Sequence, residues 1–178
     1  DPEMDRLLFY LPIAGSAFKK VYFDDLLDRA VARFVPADDL VVPYNASDLE
    51  SASRITHVIR MDENDVRKSQ ATGFYRDIEL SPYEPDDEIS DKERELSGIE
   101  KTSDALDCTL LEVHTNLDLP GFENRHPIDD SETGIKLPYI VTIDEGSSKV
   151  LAIRRNWVEG DDYYNKANYF AHYKFLPG

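Results

Sequence analysis

Glu112, His114 and His126 are the residues whose types and spacing come closest to those of a metal site. Glu112 and His114 are two positions apart in a stretch that alternates apolar and polar residues, so both side chains should lie on one face of a strand. His126, in the polar loop that follows, could add a third ligand to a zinc-type site. A structural role is the favoured alternative, with His114 half-buried on its strand and His126 solvated in its loop.

Two further histidines, His57 and His172, lie on strand patterns among apolar neighbours. A hydrogen-bonded structural histidine is far commoner in such a position than a metal ligand. We therefore expect no specific bound metal and no cofactor.

Cys108 is the only cysteine and the only candidate thiol nucleophile. The nearby acids Asp104 and Asp107 disfavour the reactive thiolate, so a structural thiol is expected. Neither of the phosphate-binding glycine motifs, GxGxxG and GxxxxGKS/T, occurs in the sequence. Because its motifs supply no set of nucleophile, base and orienting group, the chain is predicted not to be an enzyme. A lone cysteine excludes an intrachain disulfide, and a reducing compartment such as the cytoplasm is expected.

Arg154, Arg155, Trp157, Tyr163 and Tyr164 bring basic and aromatic side chains close together in sequence. Such a cluster can stack on nucleic-acid bases or anchor a protein partner. The formal net charge of the chain is -16 and its basic residues are scattered, whereas a protein that grips phosphate needs a basic stripe. These five residues are therefore interpreted as a protein-contact patch, and DNA binding is not expected.

The pattern of apolar and polar residues predicts the elements that position these residues. They give a strand-rich α+β fold with antiparallel hairpins and a few short helices. A chain of 178 residues fits one compact domain, here 1–178. No apolar run reaches the roughly 18 to 20 residues of a membrane helix. In the first half of the sequence, a helix is predicted over Pro2–Ala14, and Pro12 and Gly15 should end it. A hairpin of 17–23 with 30–36 and a brief strand within 35–43 should follow. A strand is then predicted at 54–61, and after it a short helix capped by Asp62 that stops near Gly73. On the first helix, Met4, Leu7, Leu8 and Leu11 have the spacing of one helical face.

The second half begins after an acidic segment, 81–107, which has few apolar side chains and is interpreted as a mobile excursion with a helical turn at 90–96. Beyond it, alternation predicts a strand at 108–119. LPYIVTID and KVLAIRRNW flank a four-residue turn at 145–148, which is the clearest hairpin signal in the sequence. A last strand is predicted within YFAHYKFLP, 169–177.

Four stretches together resemble the portal proteins of tailed phages, in particular those of the short-tailed type. They are LLFYLPIAGSAFKKVYFD (7–24), FVPADDLVVPYNASDLESASRITHVIRM (34–61), GIKLPYIVTIDEGSSKVLAIRRNW (134–157) and YFAHYKFLPG (169–178). Their order and spacing also fit, and the acidic segment is the least specific part. The likeness extends along the sequence and contains no catalytic signature.

The resemblance implies a structural subunit of a ring, usually of twelve copies, at the head-tail vertex of the virion, assembled in the host cytoplasm. DNA passes through such a ring during packaging and ejection. The terminase packaging motor, capsid or scaffolding proteins, and tail or head-completion proteins are the implied partners. The chain would correspond to the outer wing region and would stop where the long stem helix begins. No membrane is expected to be involved.

Two other functions stay open on the residues alone. One is a metal-dependent hydrolase that uses Glu112, His114 and His126, and it would require a bound metal. The other is a stand-alone ligand-binding module built on the hairpin around Gly146, which should have a concave apolar pocket.

Overall fold

The computed structural model describes residues 1–24, 28–80 and 107–175 of the chain. The acidic segment 81–107, with its predicted helical turn, lies outside the described residues except for Asp107, which begins a strand.

The predicted α+β, strand-rich fold is confirmed, since the described residues form two α-helices and two antiparallel sheets. Neither helix is long or apolar enough to cross a lipid bilayer, as far as the described ranges extend. The elements in chain order are α1 (Pro2–Ala14), β1 (Ser16–Asp24), β2 (Arg29–Pro36), a short 3-10 helix (Ala37–Asp39), β3 (Leu40–Val41), β4 (Arg54–Asp62), α2 (Glu63–Ala71), β5 (Asp107–Leu117), β6 (Leu137–Asp144), β7 (Lys149–Arg155) and β8 (Phe170–Lys174).

Helix α1 is fixed at both ends by capping. The Asp1 carboxylate accepts a hydrogen bond from the Glu3 N–H at 3.1 Å, and Gly15 ends the helix in the left-handed region at φ 73°. The expectation that Pro12 helps to end the helix is wrong, because the helix continues to Ala14. A proline in the last turn removes a single backbone donor, and the Gly15 N–H still closes that turn by donating to the Leu11 carbonyl at 2.8 Å.

The three-stranded sheet has the order β2-β1-β8. The predicted first hairpin is confirmed, with β1 and β2 in register from Ala17 opposite Pro36 to Asp24 opposite Arg29. Strand β8 pairs with the other edge of β1, and Ser16 lies opposite Lys174. The brief strand predicted within 35–43 is reduced to β3, because Val35 and Pro36 extend β2 and the 3-10 helix follows.

The five-stranded sheet has the order β3-β4-β5-β6-β7. It contains the predicted strands at 54–61 and 108–119 and the predicted hairpin of β6 with β7. The predicted cap of α2 is also confirmed, since the Asp62 carboxylate accepts from the Asn64 N–H at 2.7 Å.

The chain forms two compact units, each with its own apolar core. The first unit comprises residues 1–57, 113–140 and 154–178, and the second comprises 58–112 and 141–153. The core of the first unit consists of Phe18, Val35, Leu40, Ala52 and Ile55. The core of the second consists of Val66, Tyr75, Cys108, Leu110 and Leu151.

Candidate functional site

An aromatic cluster centred on Trp157 lies in the first unit, directly after the end of β7. The Trp157 indole is edge-on to the ring of Tyr139, with centroids 5.3 Å apart and planes at 81°. Tyr164 packs on the same indole at 5.6 Å and 88°, and the Arg155 guanidinium lies 5.8 Å from its centroid. Edge-to-face pairs and an arginine over indole are favourable geometries, so the cluster is a preformed group of rings.

Two of the five predicted contact-patch residues, Arg155 and Tyr164, therefore lie against a third, Trp157. The sequence interpretation missed Tyr139, which is buried on β6 and packs against the indole of Trp157. The sequence did contain a clue to this contact, because Tyr139 lies in LPYIVTID, the strand predicted to form a hairpin with β7. Arg154, the residue before Arg155 on β7, lies on the opposite side of that strand by alternation.

The loop that carries Tyr163 and Tyr164 is closed at its base by one backbone hydrogen bond and one side-chain hydrogen bond. The Ala167 N–H donates to the Asn156 carbonyl at 3.1 Å. The Lys166 ammonium donates to the Glu50 carbonyl at 2.6 Å, which ties the loop to the chain before β4. Loop and cluster are consequently held as one piece of the first unit.

Within this loop, the Asp161 carboxylate organises a tight turn. It accepts from the backbone N–H groups of Asn165 at 2.9 Å and Tyr163 at 3.0 Å. These hydrogen bonds, chiefly the one from Asn165, lower the pKa of Asp161 below its ordinary value. The turn places Tyr164 at a positive φ of 50°, a conformation that costs free energy for a residue other than glycine.

Tyr163 projects from the turn with 87% of its surface exposed, and Val158 is exposed on the same loop. Aromatic and arginine side chains on a preformed support are typical anchors of protein interfaces. The acids Glu159 and Asp162 lie within the loop and weaken its attraction for phosphate. The arrangement therefore suits contact with a protein surface better than contact with nucleic acid.

A second exposed surface, which the sequence interpretation missed, is the outer side of α1. We define the α1 outer face as Leu8, Phe9, Pro12 and Ile13, all of which are exposed. The predicted apolar face of Met4, Leu7, Leu8 and Leu11 is wrong for Leu8, which points outward. Of the other three residues, Leu7 is fully buried, and Met4 and Leu11 are half-buried. A helix with apolar residues on both sides gives no clear periodic signal, so the exposed side was hidden in the sequence.

The metal site considered from the sequence does not form. Within ranges 1–24, 28–80 and 107–175, no three His, Cys, Asp or Glu side chains converge closely enough to hold a metal ion. His114 is buried, with its ring 5.6 Å from Tyr169 and 5.3 Å from Phe170. His126 is in an exposed loop, where its Nδ1 lies 3.1 Å from the Asp129 carboxylate. The two histidines thus have separate structural surroundings.

The other candidate residues differ in burial: Cys108 is buried, His57 is half-buried and His172 is exposed. Cys108 is 2% exposed in the apolar core of the second unit. The His172 ring stacks on Phe18 with centroids 4.5 Å apart, and its Nε2 lies 2.7 Å from the Ser16 hydroxyl. Desolvation, and then the nearby Lys174, lower the pKa of His172 below its ordinary value. The ring of His57 is edge-on to Phe170 at 5.7 Å.

Comparison with known proteins gives no family: no protein-family model matches the sequence, and no curated protein matches it.

Proposed function

We propose that this chain is a non-enzymatic, structural piece of a phage portal ring, corresponding to the wing region of one subunit at the head-tail vertex. The observation that carries the proposal is the α1 outer face, a large apolar surface on a chain that is otherwise strongly acidic. A surface of this kind indicates a protein that works in an assembly. The resemblance of four sequence stretches to portal proteins supplies the identity of that assembly.

The α1 outer face needs a covering partner on energetic grounds. Phe9 and Ile13 are 76% and 75% exposed, and Leu8 is exposed beside them. A surface helix ordinarily directs polar residues outward, and contiguous apolar patches usually mark interaction sites. Burying one such side chain contributes roughly 1.5 to 3 kcal/mol. Three neighbouring apolar side chains are therefore a substantial driving force for association.

The loop bearing Trp157 and Tyr163 provides a second, chemically different contact surface. A closed ring is built from heterologous contacts, in which each subunit offers one surface to one neighbour and another surface to the next. Two distinct surfaces suit this arrangement better than a two-fold dimer, which needs one self-complementary patch. The α1 outer face and the Trp157 cluster also fall mainly within the stretches 7–24 and 134–157 that resemble portal proteins.

The charge of the chain is compatible with a DNA conduit. A net charge of -16 disfavours tight binding of duplex DNA, and a channel through which DNA must move should not hold it. The remaining partners of the proposal are further copies of the subunit, the terminase packaging motor, capsid or scaffolding proteins, and tail or head-completion proteins.

The proposal can be tested by thiol protection, because Cys108 is buried and an introduced cysteine would be the accessible thiol of the chain. Phe9→Cys should react rapidly with a maleimide in the isolated chain. In phage particles that carry the same substitution, the thiol should be protected by the neighbouring subunit. Asp118→Cys, at an exposed loop position, is the matched control and should react in both samples. Equal reactivity of Phe9→Cys in the isolated chain and in particles would contradict the proposal.

A further inference from the structure

The hairpin of β1 and β2 extends beyond the third strand of its sheet. Within the described residues, β8 pairs with β1 from Ser16 to Lys20, whereas β2 pairs with β1 as far as Asp24. The outer part of the hairpin is thus a two-stranded ribbon. A two-stranded ribbon alone is marginally stable in water, and a third strand adds to its stability.

The outer edge of β2 presents backbone groups for such a third strand. The Phe34 N–H donates to the Glu3 carboxylate at 2.6 Å, so it points away from β1. In an antiparallel ladder the backbone groups of alternate residues point to the same side, and those of Ala30 and Ala32 therefore also point outward. No strand lies along this edge in the part of the chain that the structure describes, where the sheet order is β2-β1-β8. Both alanine side chains are small and exposed, so another strand can approach this backbone.

Glu3 shows which chemical group this edge accepts. A carboxylate is a strong acceptor for a backbone N–H, and the carboxylate of Glu3 binds the outward N–H of Phe34. Glu3 also closes the edge at this point, because its side chain occupies the position of a partner strand's carbonyl. The open part of the edge is therefore residues 29–33.

The open edge is flanked by basic side chains. Arg33 lies directly opposite Lys20 in the register, and like charges in this relation disfavour strand pairing. Arg29, four residues before Arg33 on the same strand, lies on the same face by alternation, and both arginines are exposed. Asp24 lies opposite Arg29 and offsets part of this charge. A carboxylate from a partner would relieve the repulsion between Arg33 and Lys20.

We propose that the β2 edge, residues 29–33, binds an extended acidic segment of a protein partner as an added strand. The backbone of the segment pairs with the outward groups of Ala30 and Ala32, and its carboxylates lie beside Arg29 and Arg33. Added strands take their affinity from main-chain hydrogen bonds and their specificity from alternate side chains. The surface is built from β1 and β2 alone, so it does not depend on the portal assignment.

The test is hydrogen exchange measured by NMR on the isotopically labelled chain, with and without a blocked hexapeptide of alternating glutamate and valine. Exchange of the Ala30 and Ala32 amides should slow when the peptide binds, because both become hydrogen-bonded donors. A hexapeptide of alternating lysine and valine is the control and should leave them unchanged. An acidic peptide without effect on these two amides would overturn the proposal and would identify Arg29 and Arg33 as charges that guard the edge against pairing. Equal effects of the two peptides would also overturn it.

Two variants separate strand pairing from charge. Ala32→Pro removes an outward N–H and obstructs a neighbouring strand, so it should abolish the slowing at Ala30. The ladder with β1 should persist, because β2 already holds Pro36 at a position of the same orientation. Arg33→Glu should weaken peptide binding about tenfold, and its carboxylate opposite Lys20 favours the hairpin.

Arg67→Glu, on α2 of the second unit, is the matched control because it changes the net charge by the same amount. It should leave peptide binding unchanged. Binding that survives Ala32→Pro, or that Arg67→Glu weakens as much as Arg33→Glu, would contradict an added strand at the β2 edge.

Discussion

The Trp157 indole meets the ring of Tyr164 almost at a right angle, with centroids 5.6 Å apart. This contact has a structural consequence, because Tyr164 has a positive φ of 50°, which costs about 1 kcal/mol or more for such a residue. The edge-to-face pair contributes about 0.5 to 1.5 kcal/mol beyond the area that it buries. Packing on Trp157 therefore offsets the backbone strain of the turn.

Trp157→Ala should lower the free energy of unfolding by about 2 to 4 kcal/mol, because Tyr139, Tyr164 and Arg155 all lose their common partner. Tyr163→Ala, one residue from Tyr164, is the matched control. Its side chain is exposed, so the change should be within about 0.5 kcal/mol. Urea unfolding followed by fluorescence of the tyrosines and by circular dichroism measures both. Equal effects of the two substitutions would show that the cluster does not stabilise the loop.

The pKa of His172 gives a pH dependence with a definite sign. Its folded pKa lies below its ordinary value, so the unfolded chain takes up the proton more readily. The stabilisation from His172 is full above the unfolded pKa of about 6.5 and is lost as the pH falls through the folded pKa. The thermal midpoint should therefore decrease between about pH 7 and 5, and His172→Gln should reduce that decrease. A variant with an unchanged pH profile would disprove the role of His172.

Metal analysis tests the interpretation of His114. Because its buried ring contacts the rings of Tyr169 and Phe170, His114→Ala should destabilise the chain by about 1 to 3 kcal/mol while leaving the metal content unchanged. The wild-type chain is expected to hold no stoichiometric zinc. His126→Ala, in the exposed loop, is the control and should have little effect on stability. One zinc per chain that disappears in His114→Ala would contradict this interpretation.

Local sequence signals predicted the local parts of the fold. Asp62 was recognisable as a cap, and the turn at 145–148 as a hairpin, because capping and tight turns depend on a few adjacent residues. The pairing of β8 with β1 joins Phe170 to Lys20 and could not be read from alternation, since register between distant strands depends on tertiary packing.

The candidate site was predictable to a similar extent. The residues around Trp157 were recognisable from their composition, whereas the support from Tyr139 depends on a contact across the fold. The outward position of Leu8 was also hidden, because α1 is apolar on both sides.

DNA binding is expected to be negligible at physiological salt. Non-specific affinity comes mostly from counterion release as Lys and Arg neutralise phosphates. The acids Glu159 and Asp162 follow Arg154 and Arg155 closely in the sequence and oppose their attraction for phosphate. An anisotropy titration with duplex DNA at about 0.15 M salt measures this. Micromolar binding that weakens steeply with salt and is abolished in Arg154→Glu/Arg155→Glu would place the patch on a nucleic-acid surface.

The portal assignment is tested most directly by a cryo-electron microscopy reconstruction of the head-tail vertex of a phage particle whose genome encodes this chain. The assignment predicts a ring whose subunits contain the three-stranded sheet β2-β1-β8, with Leu8, Phe9 and Ile13 of α1 packed against a neighbouring subunit. Mass spectrometry of the same particles should detect the chain. A vertex ring of another fold, in particles from which this chain is absent, would contradict the assignment.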